Sequence, residues 1–569
     1  MKKLRSARWF EAETRMGHTH RQRIMQGGFA RNDFTGKPVV AILSTWSDLN
    51  PCHGHFRERA EDVKRGVWEA GGFPVEVPVM ALGEPFVKPS AMLYRSLLAI
   101  QTEETLRCHP VDGAVLMGGC DKTTPGLILG AISMNLPAIF MPAGPMLTGR
   151  WRNIPLGSGT DTSKAFMDWK AGVLPDADFR EMEEAGARSP GHCMTMGTAS
   201  TMTAIAEALG LTLSGASSIP APDSRHRHMA VATGRRAVEI IIADLKPRSI
   251  LTNSSFHNAI VTLMALGGST NAVIHLVAMA RRMGIALGLD AFEEISLKVP
   301  VLADLRPAGR FLMEDFFEAG GLRGLLARIE DLLELSALTV TGKTLGEDIK
   351  SARVWNDEVI LPREKPLKAS GGLAIIRGNL APDGAVLKTA SATPALLCHR
   401  GRAVVFDGWA DFAARIDDPD LEVDPTSVMV LRNCGPRGAP GMPEWGMMQV
   451  PKKLLDQGIR DMVRVSDARM SGTHFGTVVL HVAPEAAIGG PLALIRNGDW
   501  IELDADRRTL NLDVAPDQLD LRRKEWRAPE PRYDRGWAKL YSDHVEQADL
   551  GADLDVLGLG TDAPEPEIN

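Results

Sequence analysis

From Lys37 onward the chain alternates between short, β-branched apolar runs and longer runs with helical spacing. The strand-like runs are "KPVVAILSTW", "FPVEVPVMAL", "DGAVLMGG" and "PAIFMPAG". Between the first two, Phe56, Ala60, Val63 and Val67 recur at helical spacing, and a glycine pair follows them, as at the C-terminus of a helix. Strands that alternate with helices predict βαβ units, and hence a parallel sheet covered by helices on both faces.

The second half of the chain has a different pattern, and 569 residues exceed what one hydrophobic core accommodates. Residues from about 197 to 330 are mostly helical by pattern. The stretch "WNDEVILPREKPLKASGG" is rich in proline, charge and glycine, which is typical of an interdomain connection. Short β-like runs follow it, and "GDWIELDADRRTLNLDV" predicts a hairpin.

These patterns predict an α/β protein with two main domains. We expect an N-terminal arm over residues 1–36 and, over 37–365, an α/β domain with a parallel sheet and a helical extension. A smaller, β-rich and barrel-like domain is expected over 366–555, followed by a flexible tail over 556–569.

Charge and composition exclude several classes of partner. The net charge of −7 and the absence of a Lys/Arg stripe argue against a nucleic-acid partner. The apolar stretch "AIVTLMALGGSTNAVIHLVAMA" is interrupted by "GGSTN", so it predicts two buried helices rather than a membrane span. The charged N-terminus lacks the apolar core of a signal peptide, and six cysteines are too sparse for a disulfide scaffold. We therefore expect a cytoplasmic protein with no membrane partner.

Three of the six cysteines lie in glycine-rich loops near the ends of predicted elements. Cys52 and Cys120 each follow a predicted strand, and Cys193 precedes a predicted helix. Loops that leave the carboxyl ends of parallel strands meet at one edge of the sheet, so these thiols are expected to converge. Three buried, structural cysteines remain the alternative interpretation.

Converging thiols allow more than one chemistry. Zinc is a poor candidate because the chain has no CxxC or HxxxH spacing. A cysteine nucleophile with His53, His55 or His192 as its base stays open. Soft thiolates from separate loops also favour an iron–sulfur cluster, in which three protein ligands leave one iron open for Lewis-acid chemistry.

Asp121 and Lys122 follow Cys120 directly. They form either a simple ion pair or part of a site for a hard cation such as Mg²⁺, which prefers oxygen ligands. A lysine contributes to such a site only if its amine is neutral and carbon dioxide converts it into an anionic carbamate.

Seven long motifs occur in register along the chain: "NPCHGH", "GGCDKTTPG", "GHCMTMGTASTM", "GGSTNAVIHL", "NLAPDGAVLK", "RNCGPRGAPGMPEW" and "SDARMSGTHFGTVVLHVAPEAAIGGPLALIRNGD". Together they resemble the dihydroxy-acid dehydratase and phosphogluconate dehydratase family from about residue 37 to 515. "GCDKTTPG", "CMTMGTASTM" and "SDARMSGT" are most similar to its sugar-acid branch, which includes dehydratases of L-arabinonate and D-xylonate.

The resemblance implies a role for individual residues. Cys52, Cys120 and Cys193 match the ligands of the family's iron–sulfur cluster, for which 2Fe-2S is favoured over 4Fe-4S. The positions that match the Mg²⁺ ligands are Glu84, Asp121, carbamylated Lys122 and Glu444. Ser471 matches the proposed catalytic base.

Two departures from the family pattern bear on the substrate. His53 stands where several relatives have asparagine, and Thr473-His474-Phe475 is a variable stretch.

The expected function is that of a hydro-lyase. It would dehydrate a 2,3-dihydroxy sugar acid such as L-arabinonate, D-xylonate or D-gluconate to the 2-keto-3-deoxy acid, in a site between the two domains of a homodimer or homotetramer. One alternative is the dihydroxy-acid dehydratase of branched-chain amino-acid biosynthesis, or a relaxed enzyme that also acts on short acids such as D-glycerate. An alternative of another class is a non-catalytic iron–sulfur redox or sensor protein.

Overall fold

The computed structural model of the protein describes residues 3–558 and 564–568. Its β-strands are β1 (Val39–Ser44), β2 (Phe73–Pro78), β3 (Gly113–Gly118), β4 (Ala138–Pro142), β5 (Gly149–Trp151), β6 (Ile154–Leu156), β7 (Ala374–Gly378), β8 (Ala381–Leu387), β9 (Cys398–Asp407), β10 (Val428–Arg432), β11 (Arg464–Ser466), β12 (Val478–Ala483), β13 (Trp500–Asp504) and β14 (Thr509–Asp513).

The same residues form these α-helices: α1 (Ala7–Phe10), α2 (Arg15–Gln26), α3 (Arg31–Phe34), α4 (Phe56–Glu69), α5 (Arg95–Cys108), α6 (Thr123–Met134), α7 (Thr160–Lys170), α8 (Asp176–Gly186), α9 (Thr198–Ala208), α10 (Ser224–Ile242), α11 (Pro247–Ile250), α12 (Asn253–Ala265), α13 (Asn271–Arg282), α14 (Leu289–Ser296), α15 (Met313–Glu318), α16 (Gly321–Arg328), α17 (Leu345–Ile349), α18 (Gly408–Arg415), α19 (Lys452–Leu455), α20 (Pro516–Glu525) and α21 (Gly536–His544). Short 3₁₀ turns connect several of them.

The part of the chain before β7, called the α/β part below, is built on a parallel sheet in the order β2-β1-β3-β4. Val40 of β1 lies opposite Gly113 of β3, which fixes the register at the centre of the sheet. Every residue of β1, β3 and β4 is buried, because helices such as α4, α6 and α10 pack on the sheet. Complete burial explains why these strands are continuous apolar runs rather than alternating ones. The predicted parallel-sheet α/β fold is confirmed.

The apolar stretch around "GGSTN" forms two helices, as its interruption predicts. α12 ends at Ala265 and α13 begins at Asn271, so the glycine pair and Ser269 lie in the turn between them. Both helices are almost wholly buried in the helical region that follows the sheet. In the described part of the chain, no helix is both long enough and apolar enough to span a bilayer.

Strands β7 to β14 close into an eight-stranded barrel in the order β10-β11-β12-β8-β7-β14-β13-β9. Neighbours from β9 through β12 run parallel, whereas β8 is antiparallel to both β7 and β12. Buried aliphatic side chains fill the interior, among them Leu387, Val405, Val430 and Val465. The prediction of a β-rich, barrel-like second region is confirmed, and β13 and β14 form its predicted hairpin.

One barrel strand, β8, was not expected from the local pattern. Its sequence "APDGAVL" begins with residues that are typical of a turn, and Pro382 and Asp383 are exposed. Proline is tolerated there because both neighbouring ladders shift register at this end of the strand, between Ile376 and Gly378 and between Leu480 and Ala483. Pairing with β7 and β12 therefore overrides the local turn preference.

The two ends of the described chain pack against the α/β part. In the segment predicted as an N-terminal arm, Trp9, Phe10 and Phe34 are buried against the main core. The predicted flexible tail includes residues 559–563 and 569, which lie outside the described residues. In its described part, Glu565 forms ion pairs with Arg5 and Arg8, at 2.9 and 2.8 Å.

After the barrel the chain returns to the α/β part. The buried Arg95 side chain donates hydrogen bonds to the carbonyl oxygens of Gly551 and Ala552. Arg282 of α13 pairs with Asp553 at 2.7 Å. These contacts connect the end of the chain, after the barrel, to α5 and α13 of the α/β part.

Candidate metal centre

The three loop cysteines meet beyond the carboxyl ends of the parallel strands. Cys52 lies in the 3₁₀ turn Pro51–His53 after β1, and Cys120 follows β3 by two residues. Cys193 follows His192, which pairs with Pro145 beyond the end of β4. The thiols of Cys52 and Cys120 are hydrogen-bonded, and both interact electrostatically with Cys193. The structure therefore brings these three predicted site residues together.

The surroundings of Cys52 and Cys193 disfavour their thiolate forms. The hydrogen bond with Cys120, together with burial, raises the pKa of Cys52 well above its usual value. Burial raises the pKa of the Cys193 thiol to about 12. Binding of a soft metal would displace these protons, and three sulfur donors fit the ligand set of an iron–sulfur cluster.

The other three cysteines lie elsewhere in the described fold. Cys108 is exposed at the end of α5, and Cys434 is buried among apolar side chains of the barrel region. Cys398 is exposed at the start of β9, close to Asp504 and Asp506. None of the three belongs to the cluster of converging thiols.

Lys122 lies at the centre of a group of carboxylates. Its side chain is 0% exposed, and its Nζ atom lies 3.4 Å from Glu84 Oε2, 3.5 Å from Asp121 Oδ2 and 3.7 Å from Glu444 Oε1. One oxygen from each of these three carboxylates lies within 4.8 Å of the others. Burial raises the pKa of Asp121. The predicted oxygen ligands are therefore gathered around one buried amine.

The two glutamates each have one oxygen held by protein donors. Glu444 Oε1 accepts hydrogen bonds from Arg469 at 3.0 Å and from Asn271 at 3.2 Å. Glu84 Oε1 accepts from Ser90 at 3.1 Å, whereas its buried Oε2 accepts no hydrogen bond in the described structure. The Lys122 Nζ atom, 3.4 Å away, is the ion-pair partner of this oxygen, and such a carboxylate oxygen is the kind of ligand that a hard cation takes.

A short loop places both donor sets side by side. β3 ends at Gly118 and α6 begins at Thr123, so Cys120 and Lys122 share the connection between them. A Cβ atom on Gly119 would lie 2.3 Å from the Cβ of Ala143, so only glycine allows this close approach. The tight turn directs Cys120 to the other thiols and Lys122 to the carboxylates.

Ser471 lies on a barrel loop pressed against the α/β part. Its Oγ is 3.0 Å from Thr473 Oγ1, and the Thr473 carbonyl accepts a hydrogen bond from Thr160 at 2.5 Å. Gly159 has a φ of +74°, and a Cβ there would lie 1.9 Å from Thr473 Oγ1. Glycine at this position therefore lets the two parts approach closely around the loop.

Asn271 connects this loop to the carboxylates. Its side-chain amide donates to the carbonyl oxygen of Met470 at 3.2 Å and also to Glu444 Oε1. The residue before Ser471 is thus held by the same side chain that holds one of the predicted metal ligands.

The histidines near the cysteines form their hydrogen bonds elsewhere. His53 Nδ1 lies 3.0 Å from the Thr45 carbonyl oxygen, His55 Nε2 lies 2.9 Å from that of Ala143, and His192 Nδ1 lies 3.0 Å from that of Cys193. Burial lowers the pKa to about 3 for His53 and His55 and to about 4 for His192. Across residues 3–558, none of these rings hydrogen-bonds a thiol of the cysteine cluster, so the geometry does not support a cysteine–histidine nucleophile.

A cleft of about 400 Å³ opens beside the Ser471 loop. It lies between helices α7 and α8 and the barrel, and Phe166, Phe179, Met447, His474 and Phe475 line part of it. His474 and Phe475 belong to the stretch that the sequence marks as relevant to substrate choice. The cleft provides room for a small ligand beside His474 and Phe475, although neither Ser471 nor the three carboxylates line it.

Sequence reasoning missed the donors that hold the carboxylates. Arg469 and Asn271 both lie inside motifs that were recognised, "SDARMSGT" and "GGSTN", but neither was singled out. Both are completely buried at the contact between the barrel and the α/β part. A charged or amide side chain next to small and apolar neighbours was the available signal, because such groups are rarely buried without a partner.

Comparison with known proteins gives matches over nearly the whole chain. The N-terminal model for dihydroxy-acid/6-phosphogluconate dehydratases matches residues 37–348, and the C-terminal model matches residues 358–552. A 6-deoxy-6-sulfo-D-gluconate dehydratase of Pseudomonas putida is 51% identical over 100% of this chain and 99% of its own length. An L-arabinonate dehydratase of Rhizobium leguminosarum bv. trifolii is 52% identical, with coverage of 98% and 96%. A dihydroxy-acid dehydratase of Pyrobaculum neutrophilum is 39% identical, with coverage of 97% and 98%.

Proposed function

The chain belongs to the dihydroxy-acid/6-phosphogluconate dehydratase family, and on that premise we propose that it removes water from a 2,3-dihydroxy sugar acid to give a 2-keto-3-deoxy acid. The relatives named for 6-deoxy-6-sulfo-D-gluconate and L-arabinonate are about half identical to this chain, whereas relatives named for dihydroxy acids and for D-xylonate are 39% and 38% identical. The proposed substrates are therefore sugar acids such as L-arabinonate, D-xylonate, D-gluconate or a 6-substituted gluconate.

One observation carries the proposal: soft and hard donors share the loop between β3 and α6. Cys120 contacts a second thiol, and Lys122 lies within 3.7 Å of three carboxylates. Thiolates select soft metals and carboxylates select hard ones, so two different metal centres would lie side by side. A single small substrate would then contact both centres.

The proposal assigns each donor set a cofactor. Cys52, Cys120 and Cys193 would hold an iron–sulfur cluster, 2Fe-2S rather than 4Fe-4S. Mg²⁺ would be held by four side chains, namely Glu84, Asp121, Glu444 and Lys122 in its carbamate form. When bound, the cluster supplies a Lewis acid for the leaving 3-hydroxyl, and Mg²⁺ supplies positive charge that acidifies the proton on carbon 2.

Lys122 supports this assignment through its surroundings. As an ammonium group it balances the charge of the carboxylates around it, which is why it tolerates complete burial. As a neutral amine it would attack carbon dioxide, lose a proton and become a carbamate with two oxygen donors. The neighbouring carboxylates would then share a cation instead of the ammonium charge.

Ser471 is the proposed base. Its Oγ atom would accept the proton from carbon 2, and water would leave from carbon 3 before the enol tautomerises. A free serine hydroxyl is too weak a base for this step, so its alkoxide must be stabilised. The hydroxyl of Thr473, 3.0 Å from Ser471 Oγ, is placed to donate a hydrogen bond to it.

The proposal also includes a cellular setting and an assembly. All six cysteines of the chain are free thiols, which persist in a reducing compartment such as the cytoplasm. As the family resemblance implies, the proposed assembly is a homodimer or a homotetramer. Light scattering on the purified protein distinguishes these two assemblies from a monomer.

A substrate panel tests the proposed reaction. Protein purified without air is incubated with L-arabinonate, D-xylonate, D-gluconate, 6-deoxy-6-sulfo-D-gluconate, D-glycerate and 2,3-dihydroxyisovalerate, and 2-keto acids are measured. We expect turnover on at least one sugar acid to exceed that on the last two compounds. Turnover confined to 2,3-dihydroxyisovalerate would instead favour the branched-chain alternative, and no keto acid from any compound would favour a redox or sensor protein.

A further inference from the structure

Arg469 is a buried arginine that lies next to two of the three carboxylates around Lys122, those of Glu84 and Glu444. Its side chain is 0% exposed. Nη1 lies 3.0 Å from Glu444 Oε1, and Nη2 donates to Ser90 Oγ at 2.7 Å. Ser90 Oγ in turn donates to Glu84 Oε1 at 3.1 Å, and Arg469 Nη2 itself lies 3.9 Å from that oxygen.

The two glutamates come from different parts of the fold. Glu84 lies in the α/β part after β2, whereas Glu444 begins a 3₁₀ turn of the barrel region. Arg469 reaches both across the contact between these parts. A guanidinium group suits this role because its donors lie in one rigid plane and hold two acceptors in a fixed relation.

Arg469 also lies two residues before Ser471 in the chain. Its position is therefore coupled to that of the proposed base as well as to the proposed metal ligands. Asn271 supports the same arrangement from the α/β part through Met470 and Glu444.

We propose that Arg469 is a positioning residue for the metal site: it fixes Glu84 and Glu444 relative to each other, and Ser471 relative to both, before the cation binds. This inference rests on the proposed function, because it concerns the same site. It assigns Arg469 no contact with substrate or metal.

A positioning role and a simple counter-charge predict opposite effects on metal binding. A positive charge next to a cation site repels the cation. If Arg469 served only as a counter-charge, its replacement by a neutral residue would therefore strengthen cation binding. Loss of a residue that orients metal ligands weakens binding, by about 10- to 100-fold in comparable sites. The sign of the change therefore distinguishes the two roles.

The experiment measures Mn²⁺ binding by electron paramagnetic resonance. Protein that retains its cluster is freed of divalent cations with a chelator and then titrated with Mn²⁺. We expect R469K and R469M to bind Mn²⁺ about 10- to 100-fold more weakly than the wild-type protein. S90A, which keeps the arginine charge but interrupts the link to Glu84, is expected to weaken binding in the same direction.

R282K is the matched control. Arg282 is a buried arginine paired with Asp553, and it contacts none of the proposed metal ligands. The R282K protein should bind Mn²⁺ with the same affinity as the wild-type protein. The visible absorbance of the cluster should be unchanged in R469K and S90A, because neither residue contacts the three cysteines.

Several results would overturn the inference. If both R469K and S90A bind Mn²⁺ with wild-type affinity, the planar guanidinium group and its link to Glu84 through Ser90 are unnecessary. If R469M binds Mn²⁺ more tightly than the wild-type protein, Arg469 acts only as a counter-charge. If R469M loses its cluster absorbance through misfolding, R469K and S90A decide the question. A wild-type protein that binds no Mn²⁺ would refute the proposed metal site itself, and this inference with it.

Discussion

Cys120 and Lys122 are separated by one residue, yet their side chains join two different groups, one of thiols and one of carboxylates. The Cys120 thiol hydrogen-bonds Cys52, whereas Lys122 Nζ lies 3.4 Å from Glu84 and 3.7 Å from Glu444. Neither the sheet nor the barrel contains all of these residues. The loop between β3 and α6 is thus the place where the parallel sheet brings thiols together and the barrel contributes its carboxylate.

Replacement of any converging cysteine by serine should remove both visible absorbance and turnover. Loss of a Lewis acid that contributes several kcal/mol corresponds to a rate at least about a thousandfold lower for Cys52→Ser, Cys120→Ser and Cys193→Ser. Iron content, absorbance and keto-acid formation are measured on protein purified without air.

Cys108→Ser is the control for these variants, since Cys108 is exposed at the end of α5. It should keep its iron and its turnover. A colourless Cys108→Ser protein, or a coloured Cys120→Ser protein, would show that the ligand assignment is wrong.

Ser471→Ala should keep the cluster and lose turnover. Removal of a general base typically costs a factor of about 10² to 10⁴, and the effect should fall on kcat because the substrate still binds. Ser214→Ala serves as the control and should keep its activity, because it removes a half-buried hydroxyl that donates to the carbonyl oxygen of Asp348. Equal turnover in Ser471→Ala and wild-type protein would remove this serine from the mechanism.

Activity should depend on carbon dioxide if Lys122 acts as a carbamate. Protein freed of Mg²⁺ and carbon dioxide should regain turnover after addition of Mg²⁺ only when bicarbonate is also supplied. With ¹³C-labelled bicarbonate, a carbamate signal should appear in the carbon NMR spectrum of the wild-type protein but not of Lys122→Arg. Full recovery with Mg²⁺ alone, and no carbamate signal, would leave Lys122 as a charged lysine and contradict this part of the proposal.

Lys388 predicts a pH dependence of stability that does not involve the candidate site. It is buried at the end of β8, and within the described residues its ammonium group has no hydrogen-bond partner. Burial lowers its pKa from 10.5 to about 7. Folding therefore disfavours the charged form of Lys388, which lowers the free energy of unfolding. This loss of stability is complete below about pH 7 and becomes smaller as the pH rises towards 10.5.

Lys388→Met should therefore stabilise the protein at pH 6, by on the order of a few kcal/mol, and progressively less as the pH approaches 10. Urea denaturation at several pH values measures this difference. Lys298→Met, which removes an exposed lysine paired with Glu294, should change stability by less than about 1 kcal/mol at any of these pH values. A Lys388→Met effect that is independent of pH would contradict the assigned cause.

The sequence predicted the sheet and most barrel strands because their patterns are local. Runs such as "KPVVAILSTW" are apolar on both faces, and the hairpin of β13 and β14 alternates around a polar turn. β8 was missed because its Pro382 and Gly384 are turn residues, and only pairing with β7 and β12 makes this segment a strand. Local preference and tertiary pairing conflict there, and the pairing determines the structure.

The candidate site was predictable where residues lie in recognisable motifs and unpredictable where contacts join distant segments. Cys120, Asp121 and Lys122 share one motif, so their proximity follows from the chain itself. The contact between Arg469 and Ser90 joins positions 379 residues apart, and it exists only because the barrel packs on the α/β part. Spacing along the chain cannot show whether an arginine faces solvent or a buried carboxylate.

Dependence of turnover on both metals tests the account most directly. Protein purified without air is assayed on L-arabinonate and the other sugar acids with Mg²⁺ present, removed and restored, and again after its cluster has been bleached. We predict that 2-keto-3-deoxy acid formation stops without Mg²⁺, returns when Mg²⁺ is restored, and is lost when the cluster is destroyed. Full turnover by a colourless protein without iron or divalent cations would contradict the account.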